Sequence, residues 1–167
     1  MPRILGIDPG LVACGWGIID FDPAQGNRIS HVAHGVISPN PKDDMATRLH
    51  QLHMGLSEVI AAHSPDIAGV EETYVNTNSG SSLKLSQARG ASLLSLAIGS
   101  LPVEEFAART IKKAVSGSGK ADKEQMIAML GFIMPTAQVT NEHAADALAV
   151  AITCAYHTKY PYRASAL

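Results

Sequence analysis

Four side chains in this sequence have the types and positions to hold a divalent cation: Asp8, Glu71, His143 and Asp146. Asp8 closes an apolar run, Ile4-Leu5-Gly6-Ile7, and Pro9-Gly10 then turns the backbone away. Glu71 closes a second such run, Ile67-Ala-Gly-Val70. His143 and Asp146 are i and i+3, so on a helix both project from one face. A carboxylate at the tip of a buried strand needs a cation, a metal or water beside it. Hard oxygen donors suit Mg²⁺ or Mn²⁺, which keep several waters and share a phosphate oxygen. Two such ions about 4 Å apart activate an attacking water and stabilise the leaving oxygen of a phosphodiester. In that arrangement Asp8 bridges the ions, Glu71 holds one, and Asp146 with His143 holds the other. Singly, each residue has a plainer reading: a turn Asp, a surface Glu at a strand end, an acid in a first helical turn. Four metal-capable groups at element ends in one chain are harder to dismiss.

The elements that must position them follow from periodicity and breakers. Residues 3–8, 14–20 and 29–38 read as three strands joined by short turns, an antiparallel meander. In the third, Ile29, His31, Ala33, Gly35 and Ile37 alternate onto one expected face. After Pro39-Asn-Pro41, a helix capped by Asp43 or Asp44 is expected to run to about His63, with Met45, Leu49, Leu52, Leu56 and Ile60 inward. Residues 67–71 form a short strand, and the intervening helix implies a parallel crossover. Residues 73–82, polar and containing Tyr74, read as a mobile loop, and residues 83–101 as a long helix of small residues. A strand at 102–106, a basic helix at 109–115, a Ser-Gly hinge at 116–119 and a helix at 122–130, with Asp122 as its candidate cap, come next. The last helix is capped by Thr140 or Asn141 and reaches about His157. His50 and His53, also i and i+3 but lacking a third ligand, read as surface residues.

Composition narrows the classes. With 167 residues, 46% apolar and 17% charged, the chain reads as one domain over residues 1–158 with a patternless tail at 159–167. No run is long enough to span a bilayer, so no membrane partner is expected, and two distant cysteines without a CxxC read as reduced and buried. A cytoplasmic location is the expectation. The net charge is −2, yet residues 84–123 carry seven bases against three acids. That asymmetry suggests one face for an anionic partner.

Gly6-Ile-Asp-Pro-Gly10, Val70-Glu71, Leu83-Lys-Leu-Ser-Gln-Ala-Arg-Gly90 and His143-Ala-Ala-Asp-Ala-Leu-Ala149 together resemble the RuvC family of Holliday-junction resolvases. The likeness spans residues 3 to about 157. It implies an α/β, RNase H-like fold with a mixed five-stranded sheet, an antiparallel meander plus parallel strands, flanked by helices. It also implies a homodimer that cuts four-way DNA junctions by paired symmetric nicks in recombination and repair, with Mg²⁺, and two ions per site. Carried across, the acids are Asp8, Glu71 and Asp146, and His143 falls where members have an Asp or a His. Lys112 and Lys123 match bases that approach the scissile phosphate, and Lys123 joins the catalytic set. Tyr74 matches an aromatic that stacks on a junction base. Arg89 and Lys120, from the same basic segment, complete the DNA-contacting candidates. The helix near Leu83 matches the dimer helix, and a junction-migrating helicase is the implied working partner. Leu11-Val12 departs from the polar or basic residues usual after Gly10. Glu72 adjoins Glu71 but points to the other face of a strand, so Glu71 is the expected ligand.

Competing readings are an RNase H-fold nuclease acting on RNA in ribosomal-RNA maturation, and a non-catalytic junction-binding protein. The long Leu83–Gly90 helix opposes the first, and retention of all three acids opposes the second. Actin-like ATPases and sugar kinases also open on Gly-x-Asp-x-Gly, but need a duplicated half for which this chain has no room.

Overall fold

Ile4, Leu5 and Ile7 are wholly buried, which forces the strand carrying them into the middle of a sheet covered on both faces. In the computed structural model, which describes residues 1–72 and 80–158, that strand is Arg3–Asp8 (β1). It pairs antiparallel with Cys14–Asp22 (β2), which pairs antiparallel with Arg28–Ile37 (β3). On its other side β1 pairs parallel with Ile67–Glu72 (β4), and β4 parallel with Val103–Ala107 (β5). The order β3-β2-β1-β4-β5 is the mixed five-stranded sheet expected.

Met45–His63 (α1) and Gly80–Ile98 (α2) cover one face, and Ala108–Ser116 (α3), Lys123–Ile133 (α4) and Glu142–His157 (α5) the other. The expected caps are in place. Asp44 accepts from the Thr47 amide, and Asp122 forms a reciprocal capping box with Gln125. Among the described residues, no helix is long and apolar enough to cross a membrane. Cys14 and Cys154 are free and buried.

Several boundaries differ from the sequence reading. α2 begins at Gly80, so residues 80–82 are helical rather than loop, and Ser86 Oγ donates to the Ser82 carbonyl within that first turn. Residues 73–79, including Tyr74, lie outside the described residues. α2 also ends at Ile98, because Ser100 takes a left-handed conformation at φ 58°. The single face expected for β3 is broken by a bulge. Ile18 pairs with Ala33 but Ile19 pairs with His31, leaving Val32 as the extra residue and reversing the faces beyond it. His53 is not a free surface residue: its Nδ1 lies 2.9 Å from Ser95 Oγ, across α1 and α2. His50 is exposed, as expected. The Ser-Gly stretch at 116–119 is a hydrogen-bonded turn, with Gly117 at φ 77° closing α3.

One packing relation fixes where α5 lies. Gly6, Gly15, Gly17 and Gly69 all face it from β1, β2 and β4, and α5 answers with buried alanines at 144, 145, 147, 149, 151 and 155. A β-carbon on Gly6 would collide with the Ala147 carbonyl and the Ala151 amide, and one on Gly15 with the His143 carbonyl. The helix thus rides on the sheet at backbone distance. Gly6→Ala is expected to lose about 3 kcal/mol or more of stability, since the obstacle is main chain. Gly131→Ala on exposed α4, where a β-carbon meets nothing within 4 Å, should gain up to about 1 kcal/mol. Urea unfolding curves compare the two; an unchanged midpoint for Gly6→Ala would contradict this packing.

Candidate active site

Strand parity decides which acids meet. Ile67 and Gly69 face α5, whereas Ala68 and Val70 belong to the core beneath α1 and α2. Glu71 therefore points to the α5 side and Glu72 to the opposite one. On β1, Ile4 and Gly6 share the α5 side with Asp8. The parallel register runs from Ile4↔Ile67 to Ile7↔Val70, so Asp8 and Glu71 are the next residues on neighbouring strands. The first turns of α5 supply the rest. Asn141 caps the helix by accepting from the His143 and Ala144 amides, and His143 Nδ1 stands 3.0 Å from Asp8 Oδ2. All four expected groups line one groove.

The groove has two hollows that share Glu71. One, of about 350 Å³, also meets Asp146, Lys112 and Lys123. The other, of about 480 Å³, meets Asp8, His143, Arg48 and Lys84. Leu11 turns into the core at 5% exposure, while Val12 stands 79% exposed at the lip of the second hollow. The departure at Leu11-Val12 therefore puts an apolar side chain beside Asp8.

Electrostatics mark the acids as short of positive charge. Burial, then the charges of Asp8 and Asp146, push the Glu71 carboxyl up to about 7, against a partial opposing pull from Lys112. Burial raises Asp8 as well, with the His143 contact working against it, and burial followed by the Asp8 charge raises Asp146. Three carboxylates facing one another in a half-buried groove are the donor set that a hard divalent cation neutralises. Among the described residues, no three His, Cys, Asp or Glu side chains are already gathered closely enough to grip one ion. His143 Nδ1 and the Asp8 carboxylate are both donors that a divalent cation would take.

The basic candidates divide. Lys112 lines the first hollow beside Glu71. Lys123 lines it too, but its ammonium is ion-paired with Glu142, which raises the lysine and lowers the glutamate. Arg89 is ion-paired with Glu105 on β5, and Lys120 is exposed on the turn before α4, lining neither hollow. Sequence reasoning missed Glu142, which no spacing relates to Lys123. It also missed Arg48, whose Nη2 donates to the Leu11 carbonyl at 3.1 Å and holds the turn after Asp8. Arg48 did leave a signal: it is a charge on the inward stripe of α1, three residues after Met45.

A mixed sheet in this order, with carboxylates at the ends of β1 and β4 and on the helix packed across them, defines a nuclease-type RNase H-like domain. Residues 4–154 match the family described as crossover junction endodeoxyribonuclease RuvC, and the chain belongs to that family. It is 52% identical to the RuvC of Azorhizobium caulinodans over 157 residues, covering 94% of this chain and 91% of that one. Thermus thermophilus RuvC in complex with Holliday junction substrate superposes with a TM-score of 0.85 at 27% identity, covering 93% and 94% of the two chains. The yeast mitochondrial Holliday junction resolvase, at 12% identity and TM-score 0.68 over 92% and 78%, shares the fold.

Glu71 binds a proton more tightly in the folded chain than its ordinary 4.5. Its protonated form therefore favours the fold, and that contribution is lost as pH rises through about 7. Without divalent cations, Glu71→Gln should exceed the native chain in stability at pH 8 by about 1–2 kcal/mol, discounted for partial exposure. The gap should close toward pH 5. Thermal unfolding across that range tests this, and a gap constant with pH would refute it.

Proposed function

We propose that this chain is a metal-dependent, structure-selective endodeoxyribonuclease that resolves four-way DNA junctions by paired symmetric nicks during recombination and repair. The observation that carries this reading is the convergence of Asp8, Glu71, Asp146 and His143 on one groove flanked by Lys112 and Lys123, in a family named for that reaction. The four residues would hold the divalent ions, Mg²⁺ with Mn²⁺ as substitute, two to a site. Bound there, the ions would supply a nucleophilic water and would neutralise the leaving oxygen.

The chain's own residues orient the substrate. Lys112 holds a phosphate oxygen against the acids. Lys123 exchanges Glu142 for the scissile phosphate and so delivers its charge only when DNA is present. Asn141 fixes the first turn of α5, keeping His143 and Asp146 aimed at the ions, and the positive end of that helix favours the phosphate. Arg89 and Lys120 lie outside the groove and serve a more distant stretch of backbone. Tyr74 stacks on a junction base, lending about 1–3 kcal/mol to an unpaired nucleotide.

A homodimer through α2 gives two cuts per junction. Leu94 and Ile98 are exposed, at 60% and 62%, and they line an apolar hollow of about 460 Å³ between α1 and α2. A junction-migrating helicase in the cytoplasm is the working partner. A non-catalytic junction binder has no use for three mutually repelling carboxylates, which weaken attraction to phosphate.

Asp146→Asn should bind synthetic four-way junctions at least as tightly as the native chain, because removing a carboxylate near phosphate does not weaken electrostatic attraction. Its Mg²⁺-dependent cleavage should fall by at least about 100-fold. Lys123→Ala should slow single-turnover cleavage about 10-fold or more while leaving affinity within about threefold. Gel-shift and cleavage assays against linear duplex separate the two effects. Equal cutting of junction and duplex, or loss of binding in Asp146→Asn, would overturn the assignment.

A further inference from the structure

α3 carries charge on two sides. Lys112 lines the hollow of the acids, but its neighbour Lys113 lines a separate hollow of about 440 Å³ together with Arg109, Thr110 and His157. Among the described residues, no acid lines that second hollow. Lys123 and Arg89 have carboxylate partners, whereas among the described residues neither Arg109 nor Lys113 has one. Arg109 is held in place: its stem rests on Gly119, where a β-carbon would come within 2.8 Å of Cγ. His157 donates Nδ1–H to the Thr153 carbonyl at 3.0 Å, which fixes its ring as one wall of the hollow. Unneutralised bases with a hydroxyl between them, the stem of one fixed by packing, form an anion site with the donor types that bind DNA phosphate.

α3 is the ridge between the two hollows, so a backbone leaving the acids past Lys112 meets Lys113 and Arg109 next. The spacing along α5 gives the reach. Asp146 and His157 are eleven residues apart on that helix, about 17 Å at about 1.5 Å per residue. That corresponds to about five base pairs of B-DNA at about 3.4 Å each.

We infer that the hollow of Arg109, Thr110, Lys113 and His157 is a second phosphate-binding site, which grips a duplex arm of the junction about five base pairs from the cut. The inference rests on the junction-nuclease reading above and extends it from the scissile strand to the arm. It makes the enzyme's affinity depend on the arm backbone, with no sequence read there.

The test uses the full chain with chelator present, so that DNA is bound and not cut, and four-way junctions with arms of about 20 base pairs. Arg109→Gln/Lys113→Gln keeps the aliphatic stems and removes both charges. The slope of log affinity against log salt should fall in magnitude by about 2, so the variant's deficit should shrink about tenfold between about 50 and 200 mM salt. Lys113→Gln alone, at an exposed position, should lower the slope by about 1. A single neutral methylphosphonate placed about five base pairs from the cut should weaken the native chain and leave the double variant unchanged, a coupling that a merely structural role of these residues would not produce. A double variant with the native salt slope, or one as sensitive to that methylphosphonate as the native chain, would overturn the inference and leave the nuclease assignment standing. Native protein that bound linear duplex as tightly as the junction would overturn both.

Discussion

Everything at the site depends on how closely α5 lies on the sheet. With Gly6, Gly15, Gly17 and Gly69 beneath it and alanines above, the helix approaches the strands at main-chain distance. Its first turn then reaches Asp8: His143 stands 3.0 Å from that carboxylate. Residues with β-carbons at those glycines would lift the helix and separate Asp146 from Glu71 and Asp8. The same approach keeps water from part of the groove, and burial is the leading cause of the raised Asp8, Glu71 and Asp146 carboxyls. Backbone packing and carboxylate chemistry are in this way one constraint.

That constraint creates a frustrated cluster. Three acids are brought onto one half-buried groove by a scaffold stabilised elsewhere, in two apolar cores on either side of the sheet. Nearby bases relieve them only in part, because Lys123 is engaged by Glu142 and Lys112 acts on Glu71 alone among the leading causes. The arrangement is favourable for binding cations and unfavourable for the isolated fold, a division common where stability and function meet.

Much of this was legible in the residues. Pro9-Gly10 after an apolar run marked the strand end at Asp8, and period-two alternation chose Glu71 over Glu72. The i, i+3 spacing put His143 and Asp146 on one helical face, and Asp44, Asp122 and Asn141 announced their helices by cap chemistry. What escaped depends on contacts remote in the chain. The bulge at Val32 changes the faces of β3 without any glycine or proline to signal it. Ser95 claims His53 from a neighbouring helix, and Glu142 claims Lys123 across 19 positions. The start of α2 at Gly80 was hidden by a polar, serine-rich stretch that reads locally as loop.

If these carboxylates form one coupled cluster that a divalent cation neutralises, metal and proton must compete for it. Calorimetric titration of Mn²⁺ at pH 7, repeated in two buffers of different ionisation enthalpy, tests that competition most directly. With the Glu71 carboxyl near 7, binding should expel about half a proton per site, so the observed heats should differ between buffers. Glu71→Gln should abolish that difference. Binding with no proton release, or no binding at all in the native chain, would contradict the account.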